Sequence, residues 1–148
     1  MKLYLAPMEG VVDYHVRALL TALGGLDGCV AAFVRVSAGA LPGRVFRRYD
    51  PALTQQCVTP SGVPVKLQLL GGNPELMALN ARRAVLAGAT SIDLNFGCPA
   101  KTVNKSDGGA CLLRQPERVG AVVQAVREAL PDTIPVSAKI RLGFDDRT

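Results

Sequence analysis

Thr90-Ser91-Ile92-Asp93-Leu94-Asn95-Phe96-Gly97-Cys98-Pro99 reads as a β-strand that alternates apolar and polar residues and stops at Gly-Cys-Pro. Successive strand residues point to opposite faces, so Ile92 and Leu94 oppose Asp93 and Asn95. The same split recurs on either side of it. Between Val63 and Leu70, Val65, Leu67 and Leu69 oppose Lys66 and Gln68. Between Pro135 and Leu142, Ala138, Ile140 and Leu142 oppose Ser137, Lys139 and Arg141. A parallel sheet covered on both sides is ordinarily apolar on both, and polar groups buried there without partners are costly. A (β/α)8 TIM barrel resolves the conflict: the apolar parity packs on outer helices, and the polar parity lines the mouth where ligands sit. A sheet with one solvated side is the other reading of the parity.

Further out, β-like runs alternate with helical patterns. Leu3 to Ala6 and Cys29 to Val36 read as strands. Asp13 is placed to cap a helix to about Leu23, with Val16, Leu19, Leu20 and Leu23 on one face and Gly24-Gly25 as its stop. Asn73-Pro74-Glu75 opens a second helix, which ends near Gly88, and Gln115-Pro116-Glu117 opens a third, through Leu130. Ser37 to Thr59 has no clear pattern. Strand and helix in alternation mean βαβ units and a parallel sheet. A closed barrel needs eight strands and about 250 residues. Residues 1–148 therefore read as only about the first five strands of one, the rest of the barrel lying outside the chain. A complete small doubly wound domain is the structural alternative.

Composition narrows the class. The chain has 148 residues, 49% of them hydrophobic and 20% charged, which suits a globular core rather than disorder. No apolar run reaches the roughly 18 residues of a membrane span, and Pro7 and Glu9 interrupt any signal-peptide core. The expectation is a cytoplasmic protein with no membrane partner. Lys and Arg number 17 against 12 Asp and Glu, a net charge of +5 that permits an anionic partner without demanding one. Cys29, Cys57, Cys98 and Cys111 form no C-x-x-C, and His15 is the single histidine. No metal site is expected, and the cysteines are expected as reduced thiols.

Cys98 is the first candidate for chemistry. Gly97 allows a tight turn and close approach of a ligand, Pro99 holds Cys98 extended, and the thiol falls at the strand's C-terminal end, where barrel enzymes carry their catalysts. It can act as nucleophile or proton donor, or fill space as a small apolar residue. Lys139 and Arg141 are strand cations that need an anionic or polar partner, either a ligand or Asp93. Gln68 and Asn95 can hydrogen-bond a planar heterocycle. Lys101, Asn104, Lys105 and Ser106 form a polar loop after Cys98.

These residues also fall in familiar runs. Ala6-Pro7-Met8-Glu9-Gly10, Asp93-Leu94-Asn95-Phe96-Gly97-Cys98-Pro99, Lys101-Thr102-Val103-Asn104-Lys105-Ser106-Asp107-Gly108-Gly109-Ala110 and Val136-Ser137-Ala138-Lys139-Ile140-Arg141-Leu142-Gly143 resemble the tRNA-dihydrouridine synthases along nearly the whole chain. The block from Asn95 to Lys105, with Arg35, is most similar to the C subgroup, which in bacteria modifies uridine 16. The resemblance implies a flavoenzyme with FMN at the mouth of a barrel, reduced by NADPH, that passes hydride to C6 of a uridine flipped out of tRNA. It implies that Cys98 donates a proton to C5, that Pro7, Met8 and Glu9 lie against the flavin, and that Gln68 and Lys139 bind its ring. Asn95 and Arg141 then contact the uridine, and Arg35 bears on tRNA placement, with Lys101 and Lys105 as further tRNA contacts. Arg44, Arg47 and Arg48 are candidates for phosphate contacts. Members continue with three more strands and a helical tRNA-binding domain and are expected as monomers at full length. The 148-residue chain alone is expected to hold FMN weakly or not at all and to reduce no tRNA.

Two other functions compete. A different flavin barrel acting on free pyrimidines would share the ring chemistry, although the Gly97–Lys101 block and the basic charge argue against it. A non-catalytic, truncated RNA-binding half-barrel would share only the charge.

Overall fold

A computed structural model describes residues 1–104 and 108–144. In chain order it holds β1 (Tyr4–Leu5), α1 (Tyr14–Ala22), β2 (Gly28–Val30), β3 (Val34–Arg35), α2 (Gly43–Tyr49), β4 (Val65–Leu70), α3 (Pro74–Leu86), β5 (Ile92–Phe96), α4 (Lys101–Asn104), α5 (Pro116–Glu128) and β6 (Val136–Ile140). Short 3-10 turns cover Pro51–Thr54 and Gly109–Arg114. Every strand pairing is parallel, and the order is β1-β2-β4-β5-β6 with β3 also beside β4. Neighbours in the sheet are thus neighbours in sequence. A doubly wound sheet reverses its order at a switch point; this one runs in a single direction and curls as a partial TIM barrel.

The stretch from Cys29 to Val36 is not one strand. β2 pairs Cys29 with Val65 and Val30 with Lys66, whereas β3 pairs Val34 with Leu69 and Arg35 with Leu70. Residues 31–33 therefore oppose only Leu67 and Gln68, a bulge with one residue too many. β2 and β3 share one strand position, so the sheet has five positions as expected from sequence.

The apolar parity faces the helices. Leu67 and Leu69 of β4 and Ile92, Leu94 and Phe96 of β5 are fully buried against Met77, Ala81 and Ala84 of α3 and Val122 and Val126 of α5. Each such large side chain contributes about 1.5–3 kcal/mol by leaving water. The expected helix starts hold. The Asn73 carboxamide oxygen accepts from Leu76 N at 2.9 Å, with Pro74 next, and Asp13 Oδ1 accepts from Val16 N at 2.9 Å.

Three expectations fail. α1 buries Arg17 and Thr21, while Leu19 and Leu23 are exposed. The cause is a buried ion pair, Arg17 Nη2 to Asp50 Oδ1 at 2.7 Å, with Thr21 Oγ1 on Thr59 Oγ1 at 3.0 Å. Burial pushes the Asp50 carboxyl up from its ordinary range, against the pull of the Arg17 charge. The patternless segment after Ser37 contains α2, which is anchored by the fully buried Phe46. Lys139 and Arg141 are exposed rather than buried, because β6 forms one edge of the described sheet. Among the described residues, no helix is long and apolar enough to cross a membrane.

Candidate active site

On the inner face of the sheet Lys66, Gln68, Asp93, Asn95 and Ser137 are paired with one another, whereas Lys139 and Arg141 are exposed. Gln68, Asp93 and Asn95 are 0%, 5% and 6% exposed. Gln68 Nε2 donates to Asp93 Oδ2 at 2.6 Å, and Asn95 Nδ2 donates to Gln68 Oε1 at 2.8 Å. Ser137 Oγ donates to Asp93 Oδ1 at 2.6 Å and accepts from Lys66 Nζ at 3.0 Å. Asp93 is thus held by Gln68 and Ser137 rather than by Lys139 or Arg141. Lys66 in turn lies 5.2 Å over the Tyr4 ring, which gives the ammonium a favourable quadrupole.

Above this layer, where the strands end, lies a cavity of about 500 Å³, within the size range of cofactor sites. Pro7, Met8 and Glu9 enter it from the turn after β1, Gln68 from β4, and Asn95, Gly97 and Cys98 from the end of β5. Lys139 and Arg141 close it from β6 and the residues just after it. The Met8 carbonyl accepts from Val11 N at 3.1 Å and Val12 N at 2.8 Å, which folds the β1 turn back toward the mouth. Eight residues singled out from sequence therefore share one cavity: Cys98, Pro7, Met8, Glu9, Gln68, Asn95, Lys139 and Arg141.

Arg35 and Lys101 do not line it. Arg35 Nη2 donates to the Thr102 carbonyl at 3.1 Å and so ties β3 to α4. Lys101 is exposed on α4. Lys105 lies outside the described residues, as does Ser106 of the same loop.

Cys98 is half-buried, and four hydrogen bonds shape its turn. Asn95 Oδ1 accepts from Gly97 N at 3.0 Å and Cys98 N at 2.9 Å. The Cys98 carbonyl accepts from Ala110 N at 2.9 Å. Arg141 Nε donates to the Gly97 carbonyl at 2.7 Å. A Cβ on Gly97 would find only ordinary contacts at 3.6 Å or more, and its φ is not in the left-handed region. The tight turn expected of it is therefore not what requires glycine at this position. By contrast, burial pushes the Cys29 and Cys57 thiols up, which leaves them inert space-fillers.

Sequence reading missed Phe33, which is 8% exposed and forms an apolar wall of the cavity, in one cluster with Leu70 and Val103 against which Cys98 packs. The bulge at residues 31–33 is the reason, since parity cannot be counted across an inserted residue. Asp93 was legible only as a possible ion-pair partner, although its parity with Asn95 and Gln68 was the available signal.

The donor set could hold the edge of a planar, hydrogen-bonding heterocycle. Each buried amide uses one N–H within the network and keeps a second. Among the described residues no hydrogen bond or ion pair engages the Lys139 ammonium. Gln68, Asn95, Lys139 and Cys98 all line the cavity such a heterocycle would occupy.

Comparison with known proteins shows the family. Residues 4–148 match the family model described as Dihydrouridine synthase (Dus). Proteins named tRNA-dihydrouridine(16) synthase from Vibrio cholerae, Pseudomonas putida and Haemophilus influenzae are 58%, 54% and 53% identical over 98–99% of this chain. The chain spans 45–47% of the length of those relatives. With its parallel half-barrel and its Cys98 cavity, this chain belongs to the dihydrouridine synthase family.

Proposed function

We propose that this chain supplies the N-terminal part of the catalytic barrel of a cytoplasmic tRNA-dihydrouridine synthase. The reaction is reduction of the C5=C6 bond of a uridine in the tRNA D-loop, at position 16, with FMN as cofactor and NADPH as electron donor. One observation carries the reading: segments from both ends of the chain bring Pro7, Met8, Glu9, Gln68, Asn95, Cys98, Lys139 and Arg141 to a single cavity.

In this reading Pro7, Met8 and Glu9 flank the flavin, and the free N–H of Gln68 and the Lys139 ammonium bind the ring. Once held by these residues, a reduced flavin would supply the hydride that C6 receives. That addition leaves an enolate conjugated through the C4 carbonyl, and C5 then needs a proton. Cys98 Sγ–H is the acid at hand, and the thiolate that remains regains its proton from water. The spare N–H of Asn95 and the Arg141 guanidinium hold the uracil against Cys98. The uridine must leave its stack to reach a cavity of this kind. Arg35, through its grip on Thr102, sets α4 and with it Lys101, beside the path of the RNA; Lys105 belongs to the same loop.

The test is Cys98→Ala in the full-length protein that carries this chain. Dihydrouridine formation should fall by about 10²–10⁴-fold, the usual worth of a positioned acid, with flavin content and melting temperature unchanged. Intact activity with lost stability would make Cys98 a packing residue.

A further inference from the structure

The buried amides of Gln68 and Asn95 run in one sense from Asp93 to the turn that carries Cys98. A carboxylate only accepts, so Gln68 presents its NH2 to Asp93 Oδ2 (2.6 Å) and its carbonyl oxygen to Asn95. Asn95 must then turn its NH2 to Gln68 (2.8 Å) and its Oδ1 forward. There it meets two groups that only donate, the backbone N–H of Gly97 (3.0 Å) and of Cys98 (2.9 Å). The other oxygen of Asp93 is taken by Ser137 Oγ at 2.6 Å, whose lone pair receives Lys66 Nζ at 3.0 Å. The chain therefore begins at an acceptor and ends at donors, and every amide between them is oriented one way.

We propose that Asp93 is a positioning residue for Cys98: its carboxylate sets the sense of both amides and, through Asn95 Oδ1, holds the Gly97–Cys98 turn against the cavity. The inference rests on the reading of Cys98 as the proton donor, but the geometry it assigns does not. A turn closed by Asn95 alone would be indifferent to residue 93. A turn whose Asn is oriented through two buried hydrogen bonds is not, because an amide at 93 can offer its NH2 to Gln68. The chain then reverses, and Asn95 aims NH2 at two backbone N–H groups.

Asp93→Asn keeps size and shape and removes the charge, and with it the enforced sense. In the full chain, amide hydrogen exchange at Gly97 and Cys98 should quicken by about tenfold, the worth of one hydrogen bond. The rate of Cys98 alkylation by iodoacetamide, read by peptide mass, should change with it. Asp93→Asn combined with Gln68→Glu moves the acceptor one place along the chain. The carboxylate then at position 68 accepts both from the amide at position 93 and from Asn95. Asn95 therefore keeps its orientation, and exchange at Gly97 and Cys98 should return to the parent rate. A requirement for volume alone would not predict the failure of the single variant. Unchanged exchange in a folded Asp93→Asn protein would overturn the proposal. So would a double variant that folds without restored protection or does not fold, since it conserves both charge and volume. An active Cys98→Ala enzyme would instead remove the proton-donor reading and leave the exchange result standing.

Discussion

A Cβ on Gly109 would lie 2.7 Å from the Cys98 carbonyl oxygen and 2.8 Å from Val103 Cγ1, and its φ of +71° is in the left-handed region. Both facts demand glycine, and both concern the far side of the Cys98 turn. Gly109→Ala should lower unfolding free energy by at least about 1–2 kcal/mol from the backbone alone, measured by urea titration. Because the methyl group pushes on Cys98, its alkylation rate should change as well. Stability within error of the parent would mean that the turn relaxes freely. Cys98 and Asn95 were readable in the sequence because the Gly-Cys-Pro that ends a strand marks a position in any barrel. Gly109 was not, since its neighbour Cys98 is distant along the chain and reached only through folding.

At the scale of elements, α1 shows how a tertiary contact overrides a helical pattern. Its leucines suggested an apolar inner face, yet Leu19 is 67% and Leu23 79% exposed while Arg17 is 1% exposed. Asp50, at the end of α2, is what reverses the reading: a buried carboxylate needs its cation. Arg17→Ala should destabilise the protein by about 3–5 kcal/mol, since it leaves Asp50 buried and uncompensated. Leu19→Ala should stay within about 0.5 kcal/mol of the parent. Denaturation midpoints of the two variants decide the matter, and the opposite ranking would restore the leucine face to the core. The split of the second strand position into β2 and β3 belongs to this scale too. It turns Phe33 into the cavity, which a continuous strand with unbroken parity would not have specified.

Across the whole molecule two surfaces stand out. The β6 edge carries Ile140 at 59% and Leu142 at 86% exposure, beside a groove with Leu113, Pro116 and Val119. An unpaired apolar edge strand invites pairing. The 148-residue chain should therefore self-associate with rising concentration, and Ile140→Lys should shift sedimentation toward monomer. A parent chain that stays monomeric would show the edge to be harmless. The second surface is basic. Arg44, Arg47 and Arg48 are exposed on α2, and Arg82 and Arg83 on neighbouring α3. If α2 lies along tRNA, replacing its three arginines by glutamine in the full-length protein should lower affinity. The slope of log K against log salt should then shrink by about 2. An unchanged slope would make these arginines an ordinary solvated face.

Local sequence determined the periods, the helix starts at Asn73 and Asp13, the parallel barrel-like sheet and most of the site. Alternation, capping and strand ends are all decided within a few residues of one another. Tertiary structure alone decided the bulge opposite Gln68, the burial of Arg17, and the pairing of Asp93 with Gln68 and Ser137 in place of Lys139. Each of these depends on which groups from distant segments compete for one buried partner. Desolvation makes that choice only once the sheet has curled and water has left its inner face.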